Sequence, residues 1–96
     1  MGYRHGSTVV SSSTTFQLTA TSTQAMETLI KAWPANTGIV YLGNSGVTAG
    51  TDPAADGIPL SADESITIPR RMFDDPSDIY LIASTTSNQV SWGVIT

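Results

Sequence analysis

The sequence predicts an all-β domain: a small antiparallel β-sandwich or barrel of six to seven short strands, preceded by an extended N-terminal arm. Three observations carry that expectation. Apolar residues fall in runs of strand length, without the sustained stripe of a long helix. Chain-reversal signals such as Asn-Thr-Gly, Asn-Ser-Gly, Asp-Pro and Asp-Gly recur between those runs. Ser and Thr supply roughly a quarter of the residues, and the branched β-carbon of Thr favours extended backbone.

Taken in order, residues 1–14 are polar, rich in Ser and Thr and free of helical periodicity. They read as an extended arm that orders on a partner, with residues 15–96 as a single β domain. "TFQLTAT" alternates Phe16, Leu18 and Ala20 with polar residues, the period of a half-buried strand. In "METLIKAW", Met26, Leu29, Ile30 and Trp33 stand at helical spacing, but Pro34 pushes Trp33 toward extended backbone and the run is short for a stable helix. The segment is therefore expected as a strand. "PANTG" is a turn, "IVYLG" a strand, and 44–57 a long polar connection. "IPL" and "ESITIP" follow as strands, and "DIYLIAS" and "QVSWGVI" close the chain around "TTSN", a connection of hairpin type.

"IVYL" and "IYLI" are apolar at successive positions, so both faces of these strands favour a dry environment. Either they are the central strands of the sandwich, with Tyr and Leu capping the outer face, or that face meets another subunit.

Composition removes several function classes. The chain has 96 residues, enough for one domain that buries about two-thirds of its unfolded surface. The net charge of −4 sets eight acids against Arg4, Lys31, Arg70 and Arg71, and four scattered cations make no phosphate-binding face, so direct nucleic-acid binding is not expected. There is no cysteine for disulfides or thiolate metal sites. No apolar stretch approaches the ~20 residues of a membrane span. The N-terminus lacks the apolar core of a secretion signal, and Gly6 stands where myristoylation wants Ser or Thr. The expectation is a soluble protein made in the cytoplasm, without a membrane partner.

The glycines of "YLGNSGVTAG" invite a phosphate-loop reading, but Gly43, Gly46 and Gly50 have the wrong spacing and no lysine follows Lys31. Pro53 and Gly57 oppose the helix that a dinucleotide fingerprint would open. The stretch is expected to be a turn whose glycines take positive φ. "GNSG" has Val47 where a nucleophile elbow needs its second glycine, and the single histidine, His5, lies in the arm. A zinc site of three His, or of His and Glu, lacks ligands. Asp74, Asp75 and Asp78 cluster in "RRMFDDPSD", and Asp52 and Asp56 lie in the long connection. Neither has the ligand order of a calcium loop, and turn chemistry accounts for both. A carboxylate pair for glycoside hydrolysis is set in space, and few residues here could build its cleft. No cofactor or metal is expected.

"RRMFDD" is a candidate contact patch, because Arg, Met and aromatic residues are enriched at interface centres. Arg70 and Arg71 could instead pair with Asp74 and Asp75, with Phe73 turned inward. With Tyr3, Arg4, Val9 and Val10 of the arm, the expected protein interface comprises Arg70, Arg71, Met72 and Phe73.

In order, "PANTGIVYLGNSGVTAG", "GIPLSADESITIP" and "DPSDIYLIASTTSNQVSWGVI" resemble the small β-rich virion structural proteins of tailed bacteriophages, over about residues 16–96. The shared features are an N-T-G turn, a strand ending V-Y-L-G, a G-V-T turn, G-I-P-L before D-E-S-I-T-I, and D-I-Y-L-I-A-S before a final hairpin. "TDPAADG" and "RRMFDDPSD" depart from the pattern in length. The resemblance implies a non-enzymatic virion component, foremost a capsid decoration (cement) protein stabilising the outer surface of the shell. It would bind the major capsid protein or other virion proteins as a homo-oligomer, a trimer by preference, after synthesis in the host cytoplasm. The alternatives are a neck or tail component, and a monomeric carbohydrate- or cell-surface-binding module using Tyr3, Trp33 and Trp92.

Overall fold

A computed structural model describes residues 2–50 and 56–96 of the chain. Its eight strands are β1 (Tyr3–Val10), β2 (Phe16–Gln17), β3 (Glu27–Ala32), β4 (Val40–Gly43), β5 (Ile58–Leu60), β6 (Ser65–Pro69), β7 (Tyr80–Ala83) and β8 (Asn88–Ile95). They form two four-stranded sheets, ordered β1-β8-β3-β6 and β2-β7-β4-β5, with every neighbouring pair antiparallel. The all-β expectation holds, and the two sheets share one core. Val10, Ile30, Ala32, Ile68 and Val90 from the first sheet meet Val40, Leu42, Leu60, Leu81 and Ala83 from the second, with Leu18 and Ile79 between.

β3 shows how the core is chosen. Its side chains alternate exposed and buried, so Thr28, Ile30 and Ala32 face inward while Glu27, Leu29 and Lys31 face out. The strand reading of "METLIKAW" stands. Its helical spacing arises because Leu29 and Trp33 are apolar residues of the outer face. β4 and β7 are the central strands of the second sheet. Val40, Leu42, Leu81 and Ala83 point into the core, and Tyr41, opposite Ile82, half-covers the other face with Tyr80. The leucines are thus core residues, and the tyrosines with Ile82 make the outer cover.

The N-terminal arm requires a correction. Residues 3–10 are extended, but they are an integral edge strand, paired with β8 from Tyr3 opposite Ile95 to Val10 opposite Asn88. Val10 is 0% exposed. This strand is the eighth, one beyond the expected six to seven. Its inward positions are Arg4, Gly6, Thr8 and Val10, so three of the four carry no apolar side chain. Gly6 is fixed by its neighbour: a Cβ there would stand 2.6 Å from the Trp92 ring, which packs down on the bare backbone. The Arg4 guanidinium lies 5.6 Å from the same ring, a cation–π contact.

The expected terminal hairpin is also corrected. β7 and β8 belong to different sheets, so 84–87 crosses between layers. Asn88, fully buried, holds the crossing. Its Oδ1 accepts the Gly38 N–H at 3.0 Å, and its Nδ2 donates to Thr85 O at 2.7 Å and Thr85 Oγ1 at 3.0 Å. Asn36, in the "PANTG" turn, grips the next residue from the side. Its Nδ2 donates to Gln89 O at 2.9 Å and its Oδ1 accepts Gln89 N–H at 2.8 Å, as a paired strand would.

In the glycine stretch, Gly50 takes positive φ (78°), as does Gly57 (69°) beyond it, whereas Gly43 and Gly46 do not. Gly43 instead gives room to Val47, whose Cβ would be 3.3 Å from an added methyl. Asn44 forms the turn by accepting Gly46 N–H on its side chain and Val47 N–H on its carbonyl. Asp52 and Pro53 lie outside the described residues.

Two substitutions probe the interior with opposite signs in urea unfolding. Asn88→Ala strands the Gly38 N–H and Thr85 carbonyl, and should destabilise the domain by about 2–3 kcal/mol. The Thr28 hydroxyl is buried without a hydrogen-bond partner, so Thr28→Val, of similar shape, should stabilise by about 1 kcal/mol.

Candidate functional site

The expected interface residues divide into those that face solvent and those that do not. Val10 is core, Phe73 packs against the core, and Arg4 points between the sheets with Nη2 buried. Val10 therefore offers no contact surface, which corrects its expected role, while Arg4 and Phe73 present only part of their side chains to solvent. Tyr3 and Val9 are exposed on the outer face of the first sheet, and Arg70, Arg71 and Met72 are exposed at one end of the sandwich. Trp92 faces inward over Gly6 and is therefore no ligand platform, whereas Trp33 is 40% exposed.

The end patch is built by a tight turn. Both Met72 N–H and Phe73 N–H reach Pro69 O, at 3.0 and 3.3 Å, which turns Met72 out as Phe73 turns in. Arg70 N–H donates to Met26 O at 3.1 Å, so exposed Met26 joins the same end. Met26 had read only as part of an apolar run; its exposure follows from this cross-connection, which no local pattern encodes. Among the described residues neither Arg70 nor Arg71 forms an ion pair, so the alternative of pairing with Asp74 and Asp75 is not realised. Two guanidinium groups and two thioethers stand together at the surface.

Several carboxylates are engaged within the domain. Asp75 caps the short 3-10 helix Pro76–Asp78 by accepting Ser77 N–H at 2.9 Å, and it also accepts the Ser22 hydroxyl and Thr23 N–H. These bonds, Ser22's foremost and then those of Ser77, draw its carboxyl from 3.8 down to about 2. Glu64 accepts Ser61 N–H, Asp56 accepts the Thr48 hydroxyl, and Asp63 pairs with Lys31 at 3.1 Å. Among the described residues no three of His, Asp and Glu converge as metal ligands would.

The second surface is a groove on the outer face of the first sheet, with a volume of about 580 Å³. Its existence follows from pairing. Opposite residues of neighbouring strands share a face, so Tyr3, His5 and Ser7 of β1, Ser91 and Gly93 of β8, Leu29 and Lys31 of β3, and Ser65 and Thr67 of β6 all point outward. Small residues on the central strand make the floor. Tyr3 and His5 stack at 5.8 Å between ring centres, and the Tyr3 ring lies over Gly93, where an added Cβ would be 2.6 Å from its hydroxyl. Beyond the end of β3, Trp33 Nε1 donates to Ser91 Oγ at 2.8 Å, which pins the indole beside the same floor. The sequence concealed this face, because Leu29 and Trp33 belonged equally to a helical stripe; the inward parity of Thr28, Ile30 and Ala32 was the available signal.

No protein-family model matches the chain, and comparison with curated proteins and with solved structures finds no match. Among the described residues no helix is long and apolar enough to cross a membrane.

The depressed Asp75 carboxyl has a defined pH signature. A folded-state value below the unfolded one stabilises fully above the unfolded value near 3.8, and the contribution is lost as pH falls through about 2. In urea unfolding across a pH series, Asp75→Asn should be less stable than the parent at pH ~7, with the gap closing between pH ~4 and ~2. A gap independent of pH would assign the capping bonds no charge character.

Proposed function

We propose that the chain is a non-enzymatic structural protein of a tailed-phage virion: a capsid decoration (cement) protein that docks on the outer surface of the major capsid protein shell. The ordered motifs from the "PANTG" turn to the last strand support the class. The observation that carries the mode of action is the solvent-facing end of Met26, Arg70, Arg71 and Met72. Unbranched thioethers adapt to an irregular partner surface, and guanidinium groups without internal partners are available to carboxylates across an interface. Of the acids that might have carried chemistry, Asp75 is engaged in a helix cap and Asp56 in a bond to the Thr48 hydroxyl.

Attachment of this kind gains strength from repetition. Each contact is small, so a homo-oligomer, a trimer on a three-fold position of the shell, would multiply weak end-on binding without a new kind of contact. A compact two-sheet domain suits the role, because it keeps its docking end rigid and loses little conformational freedom on binding.

The test is occupancy of purified particles by quantitative protein analysis, with light scattering of the free protein for its oligomeric state. The parent chain should be present in the many copies that tile a shell, whereas the few copies of a ring would move it to the neck or tail. The double variant Met26→Asp with Met72→Asp should fall at least about ten-fold in occupancy, the effect of ~1.4 kcal/mol, while its urea midpoint is unchanged. Full occupancy by a folded double variant would place docking elsewhere on the molecule.

A further inference from the structure

We propose that the groove on the outer face of the first sheet is a binding site for a short, uncharged oligosaccharide. A sugar presents flat C–H faces and a rim of hydroxyls, and the groove offers a counterpart to each. Tyr3, stacked on His5, stands over Gly93 at one position of the floor, and Trp33 stands at Ser91, two residues along the same strand. Two residues of strand span about 6.6 Å, the spacing of the floor positions at which Tyr3, in the groove lining, and Trp33, just outside it, stand. Beside them lie the hydroxyls of Ser7, Ser65 and Thr67, none of which has a hydrogen-bond partner among the described residues. Each can both donate and accept, as a sugar hydroxyl does.

Other ligand classes fit less well. The ammonium of Lys31 in the groove is paired with Asp63 at 3.1 Å, which lessens the attraction the site offers to a phosphate or an acidic sugar. The indole of Trp33 has a single N–H, already given to Ser91. It can offer a ligand its ring but no hydrogen bond to a peptide carbonyl, which argues against an extended proline-rich peptide. The volume of about 580 Å³ is in the range of small-ligand sites, ~300–1,000 Å³.

This site shares no residue with the docking end, and goes beyond the virion reading without depending on it. The test is calorimetric titration of the full chain with maltotriose, cellotriose and tri-N-acetylchitotriose, followed by a neutral-glycan array. Saturable binding to at least one of these ligands is expected. Trp33→Ala and Tyr3→Ala should each weaken it about ten-fold or more, with circular dichroism and urea midpoint unchanged. Ser91→Ala, which frees the indole N–H but keeps the ring, should weaken it less than Trp33→Ala. Failure to bind any neutral glycan, or binding by the ring variants equal to that of the parent, would each overturn the assignment.

Discussion

The fold depends on how the chain crosses between its layers. A chain that repeatedly switches sheets must carry backbone N–H and C=O groups through a region where water is scarce, and each unpaired group costs about 1–3 kcal/mol. At the last crossing the buried amide of Asn88 answers that cost from both sides, holding the N–H of Gly38 ahead of β4 and the carbonyl of Thr85 behind β7. Asn36 then takes both backbone groups of Gln89, so β8 begins with its position already set by side chains of another layer. A buried polar network of this kind, once satisfied, selects one arrangement over its near neighbours.

The register of β8 has consequences over the whole first sheet, since β8 lies between β1 and β3. With Asn88 inward, Val90, Trp92 and Val94 are inward too, and Ser91 and Gly93 are forced outward. The core gains two valines and an indole, and the outer face gains a floor of small residues. A slip of one residue would bury Ser91 and expose Val90. The groove is therefore a by-product of the same parity that builds the core, and Tyr3 and Trp33 occupy the room that Gly93 and Ser91 leave.

This also explains what could be read from the chain and what could not. The strands of the second sheet were legible because Val40, Leu42, Leu81 and Ala83 alternate with larger outer residues inside runs too short for helices. β1 was illegible, because its inward residues are Arg4, Gly6 and Thr8, and their fitness lies in a neighbour: Trp92 covers Gly6 and receives the Arg4 cation. "TTSN" has hairpin composition, and only the long-range bond of Asn88 to Gly38 distinguishes an interlayer crossing from a hairpin. Of the expected contact residues, the exposed Met72 and the partly buried Phe73 are neighbours whose opposite orientations are decided by one turn on Pro69. Tyr3 is exposed as its place in the expected arm suggested, although the reason is the parity of a paired strand.

The edges of both sheets bear on how such a domain associates. An unpaired strand edge invites addition of another strand, and proteins blunt that tendency with proline, short strands and inward-pointing charge. All three devices are present. β5 carries Pro59, β2 is two residues long, and β6 ends at Pro69. β1 is the long exception, and it is the strand that points Arg4 inward, with a guanidinium nitrogen left without a hydrogen-bond partner. The connection from β1 further closes its far end, where Ser11 O accepts Ala83 N–H and the Thr8 hydroxyl donates to Leu18 O across the layers. Edge-to-edge growth is thus resisted at each of the four margins, whereas the end bearing Met26 and Met72 and the face bearing Tyr3 and Trp33 carry no such guard. The distribution of protection disfavours backbone pairing at the edges and leaves an end and a face open to side-chain contacts.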